Sequence, residues 1–208
     1  MPGDVTTLET PAGPARVDLR AGEPGRGLLV FTHGSAGSVA APDLLALRDA
    51  AGGLGWTTAA VTQPFRLAGR RNPGAAGPQD DAWCAVVVAL RAGVAGPLVQ
   101  AGRSNGARVA CRTADVLGAA GVVGLAFPVH PPGRPEQDRL AELAAPTCRV
   151  LVVQGDRDPF GLPTARRGRR RVVVVEGADH ALKPAGATIT RETRRFLRAV
   201  SAQSSPGA

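Results

Sequence analysis

A serine flanked by glycines is the strongest chemical signal in this sequence. Ser104 is the central residue of the G-x-S-x-G segment 102–106. The apolar run 97–101 before it predicts a short buried strand, and residues 107–112 after it predict the start of a helix. A strand, a sharp turn and a helix in this order form a nucleophile elbow, which presents the serine Oγ above the edge of a sheet. The flanking glycines leave room for such a strained turn.

A serine needs a base within hydrogen-bond reach before it can attack an ester. The sequence contains three histidines, and His180 directly follows the valine run 172–175, at the end of a predicted strand. The base of a nucleophile elbow is expected at such a position, late in the chain. We therefore predict that His180 is the base; the alternative is a histidine of a surface loop.

An acid is expected to orient the imidazole and to stabilise its charged form. The segment 154–160 follows another predicted strand and contains two aspartates. We favour Asp158, because it leads into a proline at a rigid turn and lies farther out on the loop. Asp156 is the alternative, although turn hydrogen bonds or a pair with an arginine would also explain it. Asp179, next to the base, is a third and weaker candidate, since adjacent side chains usually point apart.

Two backbone N–H groups are expected to stabilise the oxyanion that forms during acyl transfer. The first belongs to Asn105, directly after the serine. The second should come from the loop 33–37, where small residues let the backbone approach a substrate. Ser35 is our candidate donor, and Gly34 is the alternative as well as a candidate substrate-binding residue.

The two other histidines also follow predicted strands. We interpret His33 as a residue that supports the structure of the loop 33–37 rather than one that transfers protons. His130 lies among prolines, in the segment 127–132. It is either a candidate substrate-binding residue or a histidine held in a turn by those prolines.

Predicted strands and helices alternate along most of the chain, which favours βαβ units and a mostly parallel sheet with helices on both faces. The strands are continuous apolar runs, as expected for strands covered on both faces. They are residues 28–31, 56–62, 97–101, 121–127, 149–153 and 172–175. The predicted helices are 43–52, 80–91, 107–112, 138–144 and 188–200, with an edge hairpin over 5–19 and a long loop over 63–79.

The formal net charge of +8 raises the question of an acidic partner. The arginines are mostly scattered, which indicates a compositional bias rather than a binding face. The one dense run, 166–171, precedes an apolar strand and is expected to be a solvated helix end and loop. Aromatic residues make up only 3% of the chain, too few for base stacking, so we predict no nucleic-acid partner.

The sequence predicts neither a metal site nor a cofactor. No cluster of His, Cys, Asp and Glu has metal-ligand spacing, and no glycine-rich segment has the context of a nucleotide site. Cys84, Cys111 and Cys148 lie far apart, so free thiols in a reducing compartment are expected. The sequence has no signal-peptide pattern and no apolar stretch of membrane-spanning length, so we expect a cytoplasmic protein with no membrane partner.

Five segments carry a family resemblance, in the order 32–37, 102–108, 127–133, 154–161 and 178–180. Together they resemble the small α/β-hydrolase domain of the dienelactone-hydrolase-like type. The branch that they resemble includes bacterial predicted hydrolases and the hydrolase-like domain of a testis-expressed protein and an NSL-complex subunit. The resemblance implies one α/β-hydrolase domain over residues 1–200, with minimal or no lid. Residues 201–208 are expected to be a disordered tail.

The predicted function is hydrolysis of small carboxylic esters or thioesters through Ser104, Asp158 and His180. True dienelactone hydrolases have a cysteine at the serine position, which argues against dienelactone as the substrate. The short connection 128–147 predicts an open, shallow pocket, and the arginines of loop 63–79 favour anionic substrates; these are Arg66, Arg70 and Arg71. The alternative is a catalytically weak or inactive hydrolase-fold protein that acts as an interaction module. The oligomeric state stays open.

Overall fold

An eight-stranded sheet forms the centre of the molecule, in a computed structural model that describes residues 3–164 and 168–204. The strand order is β1-β2-β4-β3-β5-β6-β7-β8. The strands are β1 Asp4–Leu8, β2 Ala15–Arg20, β3 Leu28–Thr32, β4 Thr57–Thr62, β5 Leu98–Arg103, β6 Gly121–Leu125, β7 Arg149–Gly155 and β8 Arg170–Val175. Strands β3 to β8 are parallel, and β1 and β2 form an antiparallel hairpin at one edge. The predicted mostly parallel α/β sheet is therefore confirmed.

Helices cover both faces of this sheet. They are α1 Pro42–Gly52, α2 Pro64–Leu67, α3 Ala76–Arg91, α4 Asn105–Arg112, α5 Leu140–Ala144 and α6 Gly186–Ser204, with a 3-10 helix at Lys183–Ala185. Helices α1 and α6 pack on one face, and α3, α4 and α5 pack on the other. None of these described helices is long and apolar enough to cross a membrane.

Strand β3 explains why continuous apolar runs predicted the strands correctly. Leu29 and Phe31 pack in the core beneath α1 and α6, whereas Leu28 and Val30 pack against α3. Successive side chains of a strand point to opposite faces. A strand covered by helices on both faces therefore needs an apolar residue at every position.

The segment 63–79 differs from its prediction as one long loop. It contains the short helix α2, and α3 begins at Ala76 rather than near Asp80. Gly77 and Pro78 look like helix breakers in the sequence, but both lie in the first turn of α3. Proline is tolerated there because the first N–H groups of a helix have no partner within the helix.

The C-terminal helix extends into the predicted tail. Helix α6 continues to Ser204, and the Gln203 side chain accepts a hydrogen bond from Arg149 Nε at 3.2 Å. This contact with the start of β7 helps to hold the last turn against the sheet. Residues 205–208 lie outside the described residues, as do residues 166–167 of the basic run. The described part of that run is a turn followed by the start of β8.

Candidate active site

The turn between β5 and α4 holds Ser104 in a strained conformation. Its φ and ψ angles are 51° and −114°, a region that residues other than glycine seldom occupy. A Cβ on Gly102 would lie 2.2 Å from the carbonyl carbon of Gly106, and a Cβ on Gly106 would lie 2.7 Å from the carbonyl oxygen of Thr32. Both flanking glycines are therefore required by close backbone contacts around the turn.

A hydrogen-bond chain joins Ser104, His180 and Asp158. The Nε2 of His180 lies 3.0 Å from Ser104 Oγ, and Nδ1 lies 2.8 Å from Asp158 Oδ2. Because Nδ1 faces a carboxylate, Nδ1 carries the hydrogen and Nε2 is free to accept the serine proton. The structure thus brings together three residues from three separate loops, each beyond the carboxyl end of a parallel strand.

Asp158 rather than Asp156 faces the imidazole. The Asp158 side chain is fully buried, and its Oδ1 accepts the backbone N–H of Phe160 at 2.8 Å. Asp156 is exposed, and so is Asp179, whose carboxylate accepts the backbone N–H of Ala181. Neither of the two alternatives contacts the base.

Gln154, which the sequence analysis did not single out, also binds the Asp158 carboxylate. Its Nε2 donates to Asp158 Oδ2 at 2.8 Å and lies 2.9 Å from the carbonyl oxygen of Gly161. The neighbours of this amide nitrogen are all acceptors, which fixes the orientation of the amide. Gln154 is fully buried at the end of β7. The available sequence signal was a glutamine that directly follows the apolar run 149–153.

The loop after β3 lies directly against Ser104. A Cβ on Gly34 would lie 3.2 Å from Ser104 Cβ, and Gly34, Ser35 and Asn105 all line the same cleft as Ser104. The backbone N–H groups of Ser35 and Asn105 have no acceptor within residues 3–164 and 168–204. They are therefore available to bind an oxygen of a substrate.

His33 anchors this loop from inside the protein. It is fully buried; its Nε2 accepts the backbone N–H of Gln63 at 3.1 Å, and its Nδ1 lies 2.9 Å from the Gly34 carbonyl oxygen. Burial lowers the pKa of His33 to about 4, with a smaller contribution from the charge of Arg66. The ring is therefore neutral at pH 7, and both nitrogens are engaged with backbone atoms.

Arg103, the residue directly before the serine, contacts residues of two other elements. Its Nε pairs with Asp43 Oδ2 at 2.8 Å, and its Nη2 donates to the His180 carbonyl oxygen at 2.7 Å. Asp43 lies in the first turn of α1, whose N-cap residue is Ala41. Asp43 thus serves the site through Arg103, which links the elbow, α1 and the loop of the base.

His130 and Phe160 belong to the loops after β6 and β7, and of the two only Phe160 lines the cleft. The backbone N–H of His130 donates to the Phe160 carbonyl oxygen at 3.0 Å, and its Nδ1 lies 2.8 Å from the Pro131 carbonyl oxygen. The cleft is lined by Pro128 from this loop rather than by His130. The Phe160 ring packs on the His180 ring, with 4.2 Å between centroids, and so restricts the imidazole.

The cleft above Ser104 has a volume of about 600 Å³. Its walls come from residues 34–37, residues 72–74, the elbow, Arg108, Pro128, Arg139, Phe160 and His180. The three loop arginines expected to favour anions do not line it, and two of them, Arg70 and Arg71, are exposed. Among the described residues, no group of three or more His, Cys, Asp or Glu side chains could hold a metal ion.

The three cysteines lie away from the cleft, and their thiols are held in the protonated form. None of the three is disulfide-bonded, and none lines the cleft. Burial raises the pKa of Cys111 to about 12 and that of Cys148 to about 11, and it also raises the pKa of Cys84. Because the thiolate is the reactive form, these thiols are poorly reactive at neutral pH.

A family comparison agrees with this fold and geometry. Residues 25–205 match the family described as an alpha/beta hydrolase domain, and the chain belongs to that family. No curated protein matches the sequence.

Solved structures with the same fold include hydrolases. A serine hydrolase homologue from Coxiella burnetii has a TM-score of 0.73 at 18% identity, over 95% of this chain and 98% of its own. A serine hydrolase without a lid from Xanthomonas campestris has a TM-score of 0.71 at 21% identity, over 100% and 97%. Est1E from Butyrivibrio proteoclasticus, with ferulic acid bound, has a TM-score of 0.75 at 15% identity, over 95% and 99%. At these identities the likeness concerns the fold.

Proposed function

We propose that this protein is a serine hydrolase that cleaves small carboxylic esters or thioesters through an acyl-enzyme. The observation that carries the proposal is the hydrogen-bond chain from Ser104 Oγ through His180 to Asp158, with distances of 3.0 and 2.8 Å. A nucleophile, a base and an orienting acid in this arrangement are the requirements for activating a serine.

Acylation is the first half of the proposed reaction. His180 Nε2 takes the Ser104 hydroxyl proton as Oγ forms a bond to the carbonyl carbon of the ester. The resulting oxyanion accepts hydrogen bonds from the backbone N–H groups of Ser35 and Asn105. Asp158 stabilises the imidazolium, which then protonates the departing alkoxide or thiolate as its bond to the acyl carbon breaks.

Deacylation uses the same groups in a second half-reaction. His180 Nε2 takes a proton from a water molecule, whose oxygen attacks the acyl carbon. The imidazolium returns that proton to Ser104 Oγ as the acyl–Oγ bond breaks, and the carboxylic acid leaves. The serine hydroxyl is regenerated, so the cycle needs water as its only co-reactant.

The form of the cleft favours small substrates. The connection from β6 to β7 contains only the short helix α5, which leaves the entrance without a large cover. A chain with little lid structure encloses little of a long acyl group.

The proposal has two further parts. The protein belongs to the dienelactone-hydrolase-like branch, which includes the testis-expressed and NSL-complex relatives. It is located in the cytoplasm.

Short p-nitrophenyl esters test the proposal. We expect the wild type to release a burst of p-nitrophenol that equals the enzyme concentration, because this leaving group departs during acylation and the slower deacylation limits later turnovers. Ser104→Ala should remove the burst and the turnover while keeping the same unfolding midpoint by circular dichroism. If the folded wild type and Ser104→Ala hydrolyse these esters at the same rate, the proposal fails, and an interaction module becomes the better account.

A further inference from the structure

The wall of the cleft is positively charged. Three arginines line it together with Ser104 and His180, and no aspartate or glutamate does. Charges in a cleft with protein walls are less screened than charges on an open surface. The chemistry of the substrate should therefore reflect which of these arginines keep an uncompensated charge.

Two of the three arginines pair with carboxylates that do not line the cleft. Arg103 pairs with Asp43 at 2.8 Å. Arg108 makes two hydrogen bonds to the Glu142 carboxylate, both at 2.7 Å. Arg112 also reaches this carboxylate, at 3.2 Å, so Glu142 has little capacity left for a third guanidinium.

Arg139 is the arginine without compensation. Its backbone N–H donates to the Val129 carbonyl oxygen at 2.7 Å, which fixes the residue on the cleft wall just before α5. Within residues 3–164 and 168–204, its guanidinium has no hydrogen bond and no carboxylate within 4 Å. Burial, and then the charge of Arg108, lower the pKa of Arg139, and the charge of Glu142 opposes them only in part. The protein thus keeps a half-buried cation in the cleft without a protein anion beside it.

We infer that the substrate carries an anionic group, a carboxylate or a phosphate remote from the ester bond, and that Arg139 binds this group. The inference rests on the proposed function and adds a substrate class to it. A guanidinium presents paired N–H donors that match the oxygens of both anions. The pairing would supply Arg139 with the counter-charge that the surrounding residues do not provide.

Matched esters measure this preference. Monomethyl glutarate carries a carboxylate, whereas methyl pentanoate has a similar length and is neutral; a pH-stat follows the hydrolysis of both. We expect wild-type kcat/KM to favour monomethyl glutarate. Arg139→Gln should lower the charged-to-neutral ratio by about 10- to 100-fold, the effect of losing a hydrogen bond to a charged group. The change should lie mainly in KM, and Arg139→Lys should restore part of it.

The control variant is Arg134→Gln. Arg134 is exposed on the same loop and does not line the cleft, so this variant should keep the wild-type ratio. A second pair, 3-acetoxypropyl phosphate and propyl acetate, distinguishes a phosphate preference from a carboxylate preference. If Arg139→Gln leaves the ratio of both pairs unchanged, the inference is wrong while the proposed hydrolase function stands.

A binding measurement without turnover tests the anion site independently of the proposed hydrolase function. Titration calorimetry with glutarate or inorganic phosphate can be performed on Ser104→Ala and on Ser104→Ala with Arg139→Gln. Binding that requires Arg139, together with a folded wild type that hydrolyses none of the esters, would support the anion site and overturn the proposed function. Absence of Arg139-dependent binding for both anions would overturn the anion site.

Discussion

His33 and His180 follow parallel strands at the same edge of the sheet, but their surroundings give them different chemistry. His33 is fully buried and engages backbone atoms with both ring nitrogens. The His180 side chain is 20% exposed, opens onto the cleft, and faces a carboxylate and a hydroxyl. One loop thus holds backbone donors in place, whereas the other carries a group that can exchange a proton with a substrate.

The partner of each ring decides whether a positive charge can be held there. A buried ring bonded to neutral backbone atoms resists protonation, and the pKa of His33 is accordingly lowered to about 4. Beside His180, the buried carboxylate of Asp158 supplies the countercharge that an imidazolium requires. Residue type alone therefore does not distinguish a histidine that stays neutral from one that faces a countercharge.

The largest effect on activity should come from removing the His180 ring. His180→Ala leaves Ser104 without a base, and we expect kcat to fall by about 10⁵- to 10⁶-fold. The measurement is steady-state hydrolysis of p-nitrophenyl acetate, with the unfolding midpoint as a check of the fold. A folded His180→Ala variant with kcat within about tenfold of the wild type would show that this loop does not move the proton.

Replacing the acid should have the next largest effect. Asp158→Asn keeps the shape but offers the imidazole no countercharge and permits the wrong tautomer, so kcat should fall by about 10⁴-fold. Asp156→Asn is the matched control, because Asp156 is exposed on the same loop and does not contact the base. Equal losses in the two variants would contradict the assignment of the acid to Asp158.

Removing the buried His33 ring should have a smaller effect on activity and a clear effect on stability. His33→Ala leaves the Gln63 N–H without its acceptor and loosens the loop of Ser35, so kcat should fall by about 100-fold, as for a misplaced oxyanion donor. Unfolding in urea should show a loss of about 2 kcal/mol. His130→Ala, whose ring lies off the cleft, is the control and should change kcat little.

The smallest expected effect is a pH dependence of the free energy of unfolding, caused by His33. The pKa of His33 in the folded protein, about 4, lies below the ordinary histidine value of 6.5. The contribution of His33 to the free energy of unfolding is therefore complete above pH 6.5 and is lost as the pH falls toward 4. The reason is that the unfolded chain binds a proton at His33 in this range, whereas the folded chain does not. Between pH 7.5 and pH 5 the loss should be about 2 kcal/mol.

His33→Gln isolates this contribution. The variant cannot titrate at this position, so its free energy of unfolding, measured in urea at both pH values, should change less than that of the wild type. An equal pH dependence in the two proteins would show that His33 is protonated with equal ease in the folded and unfolded chains.

The fold and the positions of the central residues could be predicted because both depend on local pattern. Apolar strands before Ser104, Asp158 and His180 predicted one sheet edge, and parallel strands bring that edge together. The contacts of Arg103 could not be predicted, since its partners lie in α1 and in the loop of the base. Arg139 was missed for a related reason: its lack of a partner depends on how Arg108 and Arg112 occupy Glu142.

The most direct test of the central claim is labelling with a fluorophosphonate probe, followed by mass spectrometry of the modified peptide. The account predicts one adduct per chain, on Ser104, and a labelling rate that falls strongly in His180→Ala. A folded wild-type protein that takes no label, or takes it only at another residue, would contradict an activated serine at this elbow.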